Sequence, residues 1–156
     1  SWATIPSATL APAFSAYTSA ATTSLTTATD TKIVLDTEEF DSSGAFDSAT
    51  NYRFTVPAGE GGKYLFSGGV TVLGGNPTAV QTNIRKNNAG IARAEEAFNT
   101  GGGNDAWNQN GVWMFDLVAT DYIELWAYVV STGTITYAGN ATMQKTWLSG
   151  FKLVGV

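Results

Sequence analysis

The sequence contains no cysteine and no histidine. The first absence removes disulfides and thiolate metal sites, so stability has to come from packing and from association. The second removes Ser-His-Asp and Cys-His catalysis, histidine proton shuttles and His-ligated zinc by inventory alone. Charge is scarce as well: only 13% of the residues are Asp, Glu, Lys or Arg, and 13 acids against 8 bases leave a net charge of −5. Proteins that grip phosphate backbones gather positive charge on one face, and the nearest approach to that here, Arg85, Lys86 and Arg93, suits a solvated strand end. No stretch of roughly 18 consecutive apolar residues occurs, so no segment reads as a membrane-spanning helix. Long helix-period patterns with caps are missing, and so are collagen-like Gly-x-y runs.

What is present is 156 residues, 44% hydrophobic and 12% aromatic, which suffices for one domain with its own core. The chain opens on Ser1 rather than Met, so processing or an upstream segment is expected. Residues 1–12, rich in Ala, Ser, Thr and Pro, read as an arm or linker, and residues 13–156 as the folded domain. Apolar residues alternate at Ile33 and Leu35, at Tyr52, Phe54 and Val56, and at Tyr64 and Phe66 continuing to Val70 and Val72, the period-two signature of strands with one buried face. Turn clusters separate them: Asp41-Ser42-Ser43-Gly44, Gly59-Glu60-Gly61-Gly62 and Gly74-Gly75-Asn76-Pro77. Further strands are expected over 81–86, 91–97, 112–117, 122–130, 134–137 and 147–154. Composition also allows a short helix over 91–98, and strand is preferred because its neighbours are strands. About ten strands suggest a two-sheet sandwich.

The segment 122–130 is apolar on both faces. Ile123, Leu125, Ala127 and Val129 form one side, and Tyr122, Trp126, Tyr128 and Val130 the other. Both sides call for cover, supplied either by a second subunit or by a long loop. The stretch 112–117 behaves similarly, with Trp113, Phe115 and Leu117 opposed to Val112, Met114 and Asp116. Phe115, Tyr122, Trp126 and Tyr128 are therefore the candidate subunit-contact residues.

An ordered series of short motifs runs through the chain: Ala13-Phe14-Ser15-Ala16-Tyr17, Lys32-Ile33-Val34-Leu35-Asp36, Phe46-Asp47, Tyr52-Arg53-Phe54-Thr55-Val56-Pro57 and Lys63-Tyr64-Leu65-Phe66-Ser67. Downstream follow Leu117-Val118-Ala119-Thr120-Asp121-Tyr122-Ile123-Glu124-Leu125 and Ser149-Gly150-Phe151-Lys152-Leu153. From Ala13 onward this resembles the C1q-like branch of the C1q and tumour-necrosis-factor jelly-roll superfamily. Thr120 departs from that pattern, which has glycine before the aspartate. The resemblance implies a ten-stranded antiparallel jelly roll that assembles as a homotrimer, often at the end of a stalk or fibre, and binds partners through exposed loops. The absence of cysteine and of a collagen run makes it look like bacteriophage or bacterial versions of the fold.

Carboxylates are the remaining reactive groups. Glu38, Glu39, Asp41, Asp47, Asp116, Asp121 and Glu124 show no spacing that selects a glycosidase-type pair, and solvated strand-end acids explain them more simply. Calcium needs several oxygen ligands near turns, which makes Glu38, Glu39, Asp41 and Asp47, or Asn104 and Asp105, the candidates, without EF-hand spacing. Gly101-Gly102-Gly103-Asn104 lacks the Gly-Lys-Ser/Thr of a phosphate cradle and reads as a flexible loop. Trp107 after it, among Asn104, Asp105 and Asn108, gives an aromatic plate flanked by amides; it either stacks on a sugar or protein partner or tucks back to anchor the loop. Asn140-Ala141-Thr142 fits the glycosylation sequon, a pattern frequent by chance. The expectation is a non-enzymatic trimeric module without an obligatory cofactor, on a virion surface or otherwise extracellular, that contacts capsid proteins or a host surface protein or glycan. The alternative is a secreted, lectin-like ligand-binding module that uses calcium.

Overall fold

In the computed structural model the described residues are 10–19, 22–97, 106–140 and 142–154, with the backbone alone described at 22 and 93–97. Among them the chain forms strands and no helix: β1 (Ala13–Tyr17), β2 (Thr22–Leu25), β3 (Thr31–Lys32), β4 (Thr37–Asp41), β5 (Phe46–Asp47), β6 (Arg53–Thr55), β7 (Gly62–Leu73), β8 (Pro77–Lys86), β9 (Ala89–Ala97), β10 (Ala106–Leu117), β11 (Tyr122–Ser131), β12 (Ile135–Ala138) and β13 (Trp147–Lys152). They make two antiparallel sheets. One is seven-stranded, in the order β2-β12-β7-β13-β1-β4 with β10 on the other edge of β7; the second is six-stranded, β5-β6-β11-β8-β9 with β3 beside β11.

Side-chain alternation decides which surface each strand buries. Ile123, Leu125, Ala127 and Val129 of β11 are almost wholly buried, as are Val80 and Ile84 of β8 and Tyr64, Phe66, Val70 and Val72 of β7. The strongest feature between the sheets is a ring cluster. Phe14 of β1 stacks on Phe46 of β5 and Phe54 of β6, each at 4.9 Å between centroids, while Phe54 meets Tyr64 at 5.5 Å and Phe66 at 5.9 Å. Gly150 of β13 makes room for it, because a Cβ there would lie 2.5 Å from the Phe66 ring.

The expected strands at 52–56, 64–72, 81–86, 112–117, 122–130, 134–137 and 147–154 appear within a few residues of their positions, and 91–97 is strand, not helix. Ile33 and Leu35 are fully buried but lie after β3 and outside any strand: Ile33 N–H is bonded to Leu125 O at 2.9 Å, and Val34 N–H to the Tyr137 hydroxyl at 3.3 Å. Pro77, expected in a turn, starts β8, where its missing N–H costs nothing.

Two turns are sharply defined. Asn87 and Asn88 both take positive φ, 51° and 65°, and close the β8–β9 hairpin with the twist that primed turns supply. Thr120 sits at φ 76°, a region that a β-branched residue enters only at a cost of about 1–3 kcal/mol. Its N–H bonds to Val56 O at 2.9 Å, and the Asp121 N–H to Val118 O at 3.0 Å, so the turn is held despite the strain. This is the position where the resembled pattern has glycine. Replacing Thr120 with Gly removes the Cβ clash while adding unfolded-state entropy, and the expected net gain is about 0.5–1 kcal/mol. Urea denaturation of Thr120→Gly checks this; a midpoint equal to or below that of the parent chain counts against it.

Candidate functional site

Each sheet has one face that the sandwich does not cover, and the two differ in chemistry. On the six-stranded sheet, Tyr122, Trp126 and Tyr128 of β11 point outward and are half-buried. The chain itself supplies much of their cover. The Arg53 guanidinium lies 4.1 Å from the Tyr122 ring centre and that of Arg85 3.9 Å from the Trp126 ring, placements in which a cation is drawn to the negative face of the ring. Between them Glu124, buried on the same face, pairs with Lys32 at 2.5 Å and accepts the Trp126 indole N–H at 3.2 Å. Arg85 is held from its far side by Asp30 at 2.8 Å.

The seven-stranded sheet presents a more apolar outer surface. Cross-strand register sets two adjoining rows. In one, Phe40 of β4, Ser15 of β1, Ser149 of β13, Ser67 of β7 and Val112 of β10 lie side by side; in the other, Ala13, Phe151, Leu65 and Met114 do. Ser15 and Ser149 satisfy one another across 2.8 Å between hydroxyls. Phe40, Phe151, Val112 and Met114 remain 46–67% exposed, and a shallow apolar trough of about 310 Å³ runs between Phe40, Leu65 and Phe151.

Phe115 faces the other way. The strict alternation along β10 places it with Trp107 and Trp113 on the inward side, packed against the core and 6.1 Å from Phe66. Of the four candidate contact residues, Tyr122, Trp126 and Tyr128 thus share one outer surface, while Phe115 belongs to the interior of the other sheet. Trp107 and Asn108 are strand residues of β10, where a loop was expected. Trp107 leans on the core, and Asn108 gives its amide N–H to Thr71 Oγ1 at 2.7 Å while accepting from Asn110 at 2.9 Å. Asn104 and Asp105 lie outside the described residues.

The acids expected near calcium are engaged locally. Glu38 accepts from Ser48 at 2.6 Å and Glu39 from Gln144 at 3.1 Å. Asp41 takes the Phe46 N–H at 2.7 Å, and Asp47 caps the turn after it through the N–H groups of Ala49, Thr50 and Asn51 and the Asn51 amide. The Thr50 N–H and the Asn51 amide lead in holding the Asp47 carboxyl below its ordinary range. No group of three or more acidic side chains that could hold a metal ion occurs among the described residues.

Asp121, the aspartate that follows Thr120 in the resembled motif, organises the end of the six-stranded sheet. It pairs with Lys86 at 2.7 Å and accepts the Val118 N–H at 2.9 Å and the Asn87 amide at 2.7 Å, while Asn87 accepts the Tyr122 N–H at 2.9 Å. The β8–β9 turn and the start of β11 are tied through this one carboxylate. Burial pulls its pKa upward, but Lys86, Val118 and Asn87 outweigh burial and hold it at about 2.

No family model and no curated protein matches this sequence. Solved structures do. Eiger TNF from S. frugiperda superposes with a TM-score of 0.66 at 9% identity, covering 94% of this chain and 96% of that one. Murine APRIL at pH 5.0 gives 0.64 at 11% identity, over 92% and 100%. The globular domain of zebrafish complement 1qA gives 0.60 at 14% identity, over 91% and 97%. The protein is an all-β jelly roll, and its fold is that of the C1q and TNF globular domains.

Because the folded-state pKa of Asp121 lies below the ordinary value of 3.8, its stabilising contribution is fully present above about pH 4 and disappears as pH falls towards 2. Asp47 adds to the same trend. Thermal midpoints between pH 5 and pH 2 are expected to drop, and Asp121→Asn to be less stable at pH 7 with a shallower drop. An identical pH profile in the variant would contradict this role.

Proposed function

We propose that the chain is a non-enzymatic recognition module that works as a homotrimer, displayed on a virion surface or otherwise outside the cell. The observation that carries the reading is the outer surface of the seven-stranded sheet. Phe40, Phe151, Leu65, Val112 and Met114, from four strands, gather on one outer surface with only serines and an alanine between them, a denser apolar grouping than scattered surface residues would make. A second feature points the same way. Among the described residues, β10 is hydrogen-bonded within the sheet only to β7, so a twelve-residue edge is left without a ladder partner. Long unpaired edges are sites of unwanted pairing unless something covers them.

A closed three-fold assembly joins two different patches of the same chain, so every copy must offer one surface and one complement. The sheet surface around Phe40 and Phe151, on β4 and β13, and the β10 edge that carries Val112 and Met114 are two such patches, at opposite sides of the same sheet. In this arrangement Tyr122, Trp126 and Tyr128, with their arginine cover, stay on the outside of the trimer, and Phe115 supports the contact strand from within. The likeness in fold to C1q and TNF domains supports a binding role rather than turnover. Display on a virion rests on the cysteine-free, Thr- and Asn-rich composition and on the resemblance to phage versions of the fold.

Light scattering over a range of concentrations is expected to give three times the 16.4 kDa of one chain. Met114→Lys and Val112→Asp are expected to reduce the mass to one chain with the far-ultraviolet spectrum unchanged, whereas Trp126→Ser leaves it at three. A wild-type monomer, or loss of association with Trp126→Ser alone, would overturn this placement of the contact surface.

A further inference from the structure

The outer surface of the six-stranded sheet holds a groove of about 590 Å³, within the roughly 300–1,000 Å³ typical of small-molecule sites. Its described lining is mostly polar and comes from four places. Gln81, Asn83 and Arg85 are the outward side chains of β8, alternating with the buried Val80, Thr82 and Ile84. Asp30 enters from the turn before β3, and Gly90 opens the β9 side. Tyr128 closes one end, directly across the ladder from Gln81.

These groups are positioned before any ligand arrives. Asp30 bonds Arg85 at 2.8 Å and Asn83 at 3.4 Å, and Arg85 is stacked on Trp126 at 3.9 Å. Asn83 and Arg85 of β8 are thus held in place by the turn residue Asp30 and by Trp126, which lowers the ordering cost of binding. Among the described lining residues the charge cancels: Asp30 pairs with Arg85, and the neighbouring Lys32 with Glu124, which leaves these residues no unpaired charge with which to hold phosphate, sulfate or a carboxylated sugar.

We infer that this groove binds a neutral saccharide. A sugar hydroxyl both donates and accepts, and its natural partners are planar amides, a carboxylate and a guanidinium that offer paired atoms to neighbouring hydroxyls. The apolar face of a sugar ring packs on an aromatic side chain such as Tyr128. The inference goes beyond the trimer reading and does not depend on it. The two are compatible, because the groove lies on the sheet opposite the proposed contact surface, and three copies would convert weak single-site affinity into avidity.

The test is a printed array of neutral and sialylated glycans probed with the fluorescently labelled full chain, with and without EDTA, alongside light scattering of the same samples. Binding to neutral glycans that persists in EDTA is expected. Asn83→Ala is expected to reduce it by about tenfold or more, the scale of one well-made hydrogen-bonding contact. Gly90→Met supplies the blocking variant: a Cβ at Gly90 meets nothing within 4 Å, so the added side chain fills the groove without forcing the backbone, and binding is expected to vanish with the thermal midpoint unchanged. The inference is overturned by no glycan binding, by binding that Gly90→Met leaves intact, or by binding confined to sialylated glycans or lost in EDTA. A monomer that still binds neutral glycans in this pattern sinks the trimer reading alone; a trimer that binds none sinks the saccharide site alone.

Discussion

The two sheets are held in register by aromatic stacking through the middle of the sandwich. Phe14 stands between Phe46 and Phe54 at 4.9 Å from each, with Tyr64 and Phe66 closing the far side. Truncating a buried phenylalanine costs about 3–5 kcal/mol against total stabilities of about 5–15 kcal/mol. One such contact is therefore a large share of what a cysteine-free domain possesses. Because Phe14, Tyr64 and Phe66 come from one sheet and Phe46 and Phe54 from the other, the cluster also decides which surface of every attached strand points out. Part of the apolar rows, Ser15 and Ala13 of β1 and Leu65 and Ser67 of β7, lies on its reverse side.

Much of this was legible from alternation alone. The buried faces of β7 and β11 follow directly from every second residue being apolar, and the ordered motifs led to the jelly roll. What stayed hidden were interactions between residues distant in sequence. Tyr122 and Trp126 signalled an apolar face in need of cover, and Arg53 and Arg85, each an ordinary charge in the sequence, lie over those rings only once β6 and β8 flank β11. Short elements gave little periodic signal. The acids of β4 looked like turn residues, and Ile33 and Leu35 alternated like a strand while their backbone left the ladder. Trp107 had two open readings, and its place on β10, partly buried against the core, came from the pairing with β7 that the local sequence did not signal. In β10 the alternation had already separated Phe115 from Val112 and Met114; which side faced inward depended on the Phe66 ring beneath.

The two outer surfaces divide the work by chemistry. The seven-stranded sheet shows one self-satisfied serine pair among exposed Phe, Val and Met, a surface on which little polar desolvation opposes burial. The six-stranded sheet shows ion pairs and amides already oriented by neighbours, a surface better suited to directional bonds. Asp121 sits where the second of these is hinged, joining the β8–β9 turn to β11. The tie between that turn and the start of β11, at one end of the face, is therefore strongest while this carboxylate is ionised.

The first and last strands have a mechanical consequence. Ala13 lies opposite Phe151 in an antiparallel pair, and the Lys152 N–H reaches Pro12 O at 2.9 Å, so the chain enters and leaves the domain at the same corner. A load applied between those two ends would open the β1–β13 ladder one hydrogen bond at a time, as a zipper opens. The hydrogen-bonded corner would therefore yield before the interior of the sandwich, because each bond of that ladder bears the load in turn.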